Sequence, residues 1–324
     1  MISLSIIILN YKSWEYTEKC INSIRLFPPK KKYEIIVIDN DSMDGKLPIF
    51  QKKIKNVAFY VNKGNLGYSS GCNYGAQKAI GKFLLFLNPD TEITSSPAID
   101  SLVNYALADK NFGIASCRKI KPKNTLEREL TFLNPWLTIG IFRAIYKFLN
   151  RNKLQIKFPE SSDEWSAEWL TGSIFLISKS TYELVDGLSE RDYWLYFEEM
   201  DLAHKIKKIN KTITLLRNVE IKHQHGGSSR INPRTSAITK SEVMISRHVY
   251  ISKFYFGINK ISLHLFMALF NLFEVLLLLI IFSPILWTKK GKALVFLFKE
   301  IIYYYTRVIF TKNWRSKRLM RAEN

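Results

Sequence analysis

The sequence predicts an α/β fold: a mostly parallel central sheet between helices, with a C-terminal helical extension. Three observations predict it. Short Ile- and Val-rich runs alternate with helix-length stretches through residues 1–117, the rhythm of β-α-β units. Polar residues gather where those runs end, and ligands of α/β sheets bind outside the carboxyl ends of the strands. The last quarter changes character, to a long apolar stretch and then a basic, aromatic one.

Leu4 to Leu9 is a continuous apolar run, as expected of a strand buried on both faces. Ser13 is placed to cap the next helix, which carries Cys20, Ile21 and Ile24 on one side and stops at Pro28-Pro29. Tyr33 to Ile38 is a second buried strand, followed by turn chemistry from Asn40 to Gly45. Val57 to Val61 is a third strand, Ser69 to Ile80 a helix, and Phe83 to Leu87 a fourth strand. Residues 118–165 lose this rhythm. They are basic and aromatic, punctuated by Pro122, Pro135 and Pro159, and read as a long excursion serving as a lid or acceptor loop. Regular structure resumes at Trp169 to Ile177, followed by a helix from about Glu199 to Ile209 and a strand from Thr212 to Leu216. The expected division is a catalytic domain over 1–257 and a C-terminal region over 258–324.

The 324 residues are 47% hydrophobic with only 14 Gly and 10 Pro, enough for a substantial core, which excludes disordered and fibrous classes. The net charge of +20, from 48 Lys and Arg against 28 Asp and Glu, favours a polyanionic partner. Cys20, Cys72 and Cys117 have no metal-ligand spacing and leave an odd thiol under any pairing, which fits a reducing compartment. Ile2 to Leu9 is too short for a signal peptide and lacks its basic leader and cleavage site.

Polar groups end four strands in succession: Asn10-Tyr11, Asp39-Asn40, Asn62 and Asn88-Pro89-Asp90. Tyr11 can stack on a base and Asp39 can accept from a base N–H, although Asp39 alone also reads as a turn organiser. Asp90, in Asn88-Pro89-Asp90-Thr91-Glu92, is a hard oxygen ligand suited to magnesium or manganese beside a diphosphate. From Asn62 to Gly75, glycines at 64, 67, 71 and 75 allow backbone to approach a ligand at a helix start. This is neither a dinucleotide fingerprint nor a Walker loop. A second acidic cluster, Glu198-Glu199-Met200-Asp201, follows the aromatic run Tyr193 to Phe197. Carboxylates desolvated by aromatics suit a general base, and equally an acidic helix N-terminus. In His223-Gln224-His225 the two imidazoles point oppositely on an extended segment, so one faces a site.

With these residues in view, the runs SIIILNYKSWEYTEKCINSI, YEIIVIDNDSMDG, NKGNLGYSSGCNYGAQKAIGKFLLFLNPDTEI and WLTGSIFLISKSTYELVDGLSERDYWLYFEEMDLAHKIKK resemble glycosyltransferase family 2, and within it the bacterial rhamnosyltransferase-like branch marked by Asn-Pro-Asp-Thr. The resemblance covers roughly residues 1–257. It implies a GT-A fold, a nucleotide-diphosphate sugar donor, Mg2+ or Mn2+, and inversion at the anomeric carbon. It implies that Asp39 binds the base, Asp90 and His223 hold the metal, and Glu199 is the catalytic base. Glu198-Glu199 stands where the family usually has Glu-Asp, so the choice between Glu199 and Asp201 stays open. Asn10, Tyr11, Asn40, Asn65, Gly67, Asn73 and Asn88 complete the expected donor site.

Ile261 to Trp287 is long enough to cross a bilayer, but His264, Asn271, Glu274 and Pro284 interrupt it. A mid-helix acid costs about 2.5–3.5 kcal/mol on insertion scales. The pattern favours helices lying in the membrane interface, with a span or soluble packing as alternatives. The expected enzyme therefore acts at the cytoplasmic face of the membrane, transferring a sugar to a glycan or lipid-linked glycan in surface polysaccharide synthesis. Rhamnose from dTDP-rhamnose is the first candidate, and hexoses from UDP donors the alternative. A basic nucleic-acid-binding protein is the reading from another class. It is disfavoured because the charge excess lies after residue 288, on no recognisable nucleic-acid module.

Overall fold

The computed structural model describes residues 2–120, 132, 137, 140–150, 162–224 and 232–320. Most of the 118–165 excursion, including its three prolines, and His225 lie outside the described residues. By contacts the chain forms two units: residues 1–132, 155–190 and 198–228, and residues 133–154, 191–197 and 229–324. The expected 257/258 boundary falls at the start of a helix of the second unit.

The first unit runs β1 (Leu4–Asn10), α1 (Trp14–Leu26), β2 (Tyr33–Asp39), α2 (Leu47–Lys53), β3 (Ala58–Val61), α3 (Tyr68–Lys78), β4 (Phe83–Leu87), β5 (Thr91–Ile93), α4 (Pro97–Ala108) and β6 (Phe112–Ile120). After the excursion, which holds α5 (Gly140–Leu149) of the second unit, come β7 (Glu164–Ser166), β8 (Ile174–Ser178), α6 (Lys179–Leu184), α7 (Glu198–Lys208) and β9 (Thr212–His223). Among the described residues these strands make one nine-stranded sheet, ordered β3-β2-β1-β4-β8-β6-β9-β5, with β7 also on β9.

The sheet is mixed rather than mostly parallel. β1, β2, β3 and β4 pair in parallel, as their helical crossovers require. β8 then enters antiparallel between β4 and β6, β5 folds back antiparallel on β9, and β6 and β9 are parallel. Alternation along β1 feeds two cores. Leu4, Ile6 and Ile8 join Cys20, Ile24 and Leu102 on one face, while Ile7 joins Cys72, Ala76 and Ile206 on the other.

Two local expectations change. Ser13 does not cap α1 through its side chain; its hydroxyl donates to Asn10 Oδ1 at 3.1 Å instead. Gly71 and Gly75 serve packing. A Cβ at Gly71 would lie 2.3 Å from Leu9 Cδ1 and one at Gly75 2.5 Å from Ile7 Cγ2, so these glycines let α3 seat directly on β1. Gly67, at φ 95°, provides the turn into α3.

In the second unit α8 (Pro233–Phe254), α9 (Gly257–Ile281) and α10 (Lys289–Thr311) pack together, with α11 (Lys317–Met320) at the end. Asn232 caps α8, its side chain accepting from Thr235 N at 2.9 Å ahead of Pro233. Ala237, Val275, Leu297 and Ile301 form one apolar cluster. Two of the polar residues that interrupt α9, His264 and Asn271, face inward. His264 Nδ1 lies 2.8 Å from His248 Nδ1, and Asn271 Nδ2 donates to Tyr305 at 3.0 Å. Ile261, Leu265, Leu269, Phe273, Leu276 and Ile280 face outward and are exposed. Among the described residues α9 is the one helix long and apolar enough to cross a membrane.

Candidate active site

Four strand ends of the first unit and the 171–173 segment build the candidate site. At the end of β2, Asp39 Oδ1 accepts from Asn10 Nδ2 at 3.0 Å and from the Ser42 hydroxyl, and Oδ2 accepts from Ser42 N at 3.3 Å. Asn10 is held in turn, its Oδ1 accepting from Ser13 and Thr17. Asp39 is thus a buried, pre-oriented acceptor. Asn40 Nδ2 donates to Asn65 Oδ1 at 3.0 Å and to Gly67 O at 3.1 Å, while its Oδ1 accepts from Asn62 at 2.9 Å. This asparagine ladder fixes the loop leading into α3. Tyr11 lies exposed at the rim, with the Lys12 ammonium 5.4 Å from its ring centre.

Asn73 does not join this set. Its Nδ2 donates to Leu188 O and Glu190, and its Oδ1 accepts from Tyr182 and from Leu188 N. It ties α3 to the 187–190 loop. Asp201 is likewise engaged in structure, buried and accepting from the Ser189 hydroxyl.

At the end of β4, Asn88 N donates to Ser173 O at 2.9 Å, and the Thr91 hydroxyl turns back to donate to Asn88 O at 2.7 Å, with the Cys20 thiol 3.5 Å from its oxygen. β5 then pairs with β9, putting Thr91 opposite His223, and Gln224 N donates to Asp90 O at 2.9 Å. His223 Nε2 consequently lies 3.3 Å from Asp90 Oδ1, with both side chains almost fully buried. A carboxylate oxygen and an imidazole nitrogen together suit a magnesium- or manganese-class ion. Among the described residues no group of three or more His, Cys, Asp or Glu stands ready to hold a metal.

Glu199, in the first turn of α7, is tied to the metal loop through the 172–173 segment. Gly172 N donates to Glu199 Oε1 at 3.4 Å, while Ser173 O holds Asn88. Burial raises the Glu199 carboxyl above its ordinary range, and N–H donors from its own backbone and Gly172, with the charge of Lys119, oppose the rise. Burial raises Glu198 well above its ordinary range, and the charge of Glu199 adds to this. Glu198 Oε2 and Glu199 Oε2 are both buried with no hydrogen bond among the described residues. The aromatic run ahead of α7 belongs to the second unit, where Phe197 packs on Tyr250 at 5.7 Å between ring centres.

Sequence reasoning missed Ser42, Lys119 and Thr171-Gly172-Ser173. Lys119 is buried, and its ammonium donates to the Thr171 hydroxyl. In the sequence it reads as the first step of the basic excursion, because Arg118, Lys119, Lys121 and Lys123 follow one another closely.

Residues 5–176, more than half of the chain, match Glycosyl transferase family 2. The chain belongs to this family and is a glycosyltransferase. Among its relatives is the N-acetylglucosaminyl-diphospho-decaprenol L-rhamnosyltransferase of Mycobacterium tuberculosis, 21% identical over 244 residues, covering 71% of this chain and 78% of that protein. Another is the O-antigen biosynthesis protein RfbC of Myxococcus xanthus, 24% identical over 55% of this chain and 13% of that protein. These relatives agree with the rhamnosyltransferase-like branch of the family. The fold is shared with the mannosyltransferase PcManGT of Pyrobaculum calidifontis, solved in complex with GDP-Man and Mn2+, at a TM-score of 0.54 and 14% identity, covering 93% of this chain and 87% of that one. GalNAc-T7, solved with UDP, GalNAc and Mn2+, gives 0.54 and 15% over 78% of this chain and 50% of its own. The glycosyltransferase carries the GT-A-like α/β fold these structures share.

Proposed function

We propose that this glycosyltransferase inverts the anomeric carbon as it moves a sugar from a nucleotide-diphosphate donor to a hydroxyl of a lipid-linked glycan. The observation that carries this is the 172–173 segment, which joins the proposed base to the proposed metal loop: Gly172 N on Glu199, Ser173 O on Asn88. Asp39, oriented by Asn10 and Ser42, receives the base of the nucleotide, with Tyr11 at the rim, and Asn40, Asn65, Gly67 and Asn88 line the donor's path. Asp90 and His223 hold Mg2+ or Mn2+, which when bound neutralises charge building on the leaving diphosphate. Glu199 takes the acceptor's proton as the oxygen–carbon bond forms at the anomeric centre and the bond to the diphosphate breaks. Glu198 lies beside it, and Asp201 secures the start of α7.

The rhamnosyltransferase relative makes dTDP-rhamnose the first donor to test, with UDP-sugars next, and its printed name supports a lipid-diphosphate acceptor. The second unit supports action at the cytoplasmic face of a membrane. α9 turns His264 and Asn271 inward and an apolar row outward, and Lys289, Lys290 and Lys292 begin the next helix, an arrangement suited to an anionic lipid interface. No nucleic-acid partner is part of this reading. The test is transfer from dTDP-rhamnose and a UDP-sugar panel to a polyprenyl-diphosphate amino sugar with Mn2+. Product of inverted anomeric configuration is expected. A retained configuration, or nucleoside diphosphate release unaffected by chelation, contradicts it.

A further inference from the structure

Lys119 is nine-tenths beyond the reach of solvent and more, at 1% exposure, in a chain whose other lysines mostly meet water. A buried ammonium is costly unless an anion and hydrogen bonds compensate it. The fold places it deliberately. The β6–β9 register breaks between Cys117 and Arg118, just before Lys119, and such irregularities re-aim side chains beside sites. The ammonium reaches across the sheet to the Thr171 hydroxyl, and Thr171 Oγ1 lies 3.2 Å from Ser173 Oγ. The residue between them, Gly172, donates its N–H to Glu199. Lys119 therefore braces the segment that touches the proposed base.

Its charge acts on the same group. The titratable groups interacting with Glu199 are Glu198 on its own helix, Tyr68 and Cys72 from α3, and Lys119 from β6. Glu198, Tyr68 and Cys72 are all raised above their ordinary ranges by burial, and none of them offers Glu199 a positive charge. Lys119 supplies the opposing charge. Two adjacent buried carboxyls beside one ammonium are pushed apart in protonation, the arrangement that separates acid from base in enzyme sites.

We propose that Lys119 is the positioning residue of the proton-transfer centre: it anchors Thr171–Ser173, the segment bonded to Glu199, and brings a positive charge to the paired carboxyls at the start of α7. This rests on the reading of Glu199 as the base. It leaves Lys119 without a role in holding the donor.

The experiment is a carboxyl 13C titration of the full chain labelled at glutamate, with the Glu199 signal assigned by its loss in Glu199→Gln. Lys119→Met is expected to raise the Glu199 midpoint by about one pH unit or more, the size of effect an adjacent opposite charge gives. Lys119→Arg keeps the charge and is expected to hold the midpoint near that of the unaltered protein. The acid limb of turnover against pH, measured with dTDP-rhamnose and Mn2+, is expected to move upward in Lys119→Met and to stay in place in Lys119→Arg. Should Lys119→Met fail to fold, Lys119→Gln retains a donor for Thr171 without the charge and is read the same way. A midpoint that does not move overturns the proposal. So does a raised donor KM with an unmoved midpoint, which would assign Lys119 to the diphosphate. Turnover that survives Glu199→Gln removes the base reading instead, a result the titration of Lys119→Met does not mimic.

Discussion

His223 Nε2 lies 3.3 Å from Asp90 Oδ1 because β5 and β9 pair Thr91 with His223. The two residues are far apart in the sequence, and the pairing of β5 with β9 brings them together. If the two hold the ion as proposed, His223→Ala leaves Asp90 alone to do so. The Mn2+ concentration needed for nucleotide binding is expected to rise at least about tenfold, since even outer-shell changes cost 10–100-fold in metal affinity. Calorimetric titration of Mn2+ against the full chain with nucleotide checks this, and an unchanged midpoint removes His223 from the metal site.

Glu199→Gln keeps the shape of the side chain and its capacity to meet Gly172 N, but cannot accept a proton. Turnover is expected to fall by about 10²–10⁴, the range of general acid–base catalysis, with donor affinity nearly unchanged. Asp201→Asn is the comparison. It weakens a buried bond from Ser189, so it is expected to cost about 1–3 kcal/mol of stability and little turnover per folded molecule. Loss of turnover in Asp201→Asn but not in Glu199→Gln swaps the two roles.

Glu198 gives the clearest pH signature in stability. Its carboxyl is raised in the folded chain by burial and by Glu199, so folding favours its protonated form. The stability this contributes is complete below the ordinary carboxylate range and is lost as pH rises through the raised value. Glu198→Gln is neutral throughout. It is expected to melt near the unaltered protein at acid pH and above it at pH 8. Equal melting temperatures at pH 8 would show that Glu198 ionises without penalty.

The outward row of α9 predicts binding to vesicles that contain anionic lipid, weakened by salt as the basic start of α10 is screened. Replacing Leu265, Leu269 and Phe273 with Ser alters exposed positions only, so the fold should persist while sedimentation with vesicles falls. Undiminished sedimentation assigns membrane contact elsewhere. Cutting the chain near residue 260 is a poorer test, because α9 and α10 cover Ala237 and Ile245 of α8, and their removal exposes that surface.

The parallel half of the sheet was legible because β1, β2 and β4 are apolar on both faces and end in polar residues. Asp39 and Asp90 read as site candidates for the same reason, as acids at strand ends. The antiparallel half was not. β9 reads as ending at Leu216 because Arg217 and Asn218 break its apolar pattern, yet the strand continues to His223 past the irregularity facing Cys117 and Arg118. α8 gives no helical stripe, since Glu242, Arg247 and His248 are buried along with Ile245 and Tyr250. Asn73 stands among the expected donor-site residues, but contacts far along the chain, with Tyr182, Leu188 and Glu190, engage it instead, and its local sequence does not show them. Lys119 was invisible because burial of a lysine is decided by tertiary contacts, and its local sequence resembles a solvated basic run.

The central claim is that Asp90 holds a divalent ion beside a nucleotide-diphosphate donor. Thermal melting of the full chain with dTDP-rhamnose and with UDP-sugars, each with and without Mn2+, tests it most directly. One donor is expected to raise the melting temperature by several degrees, only with Mn2+ present and not in Asp90→Ala. A shift of equal size without the ion, or one retained in Asp90→Ala, would contradict the account.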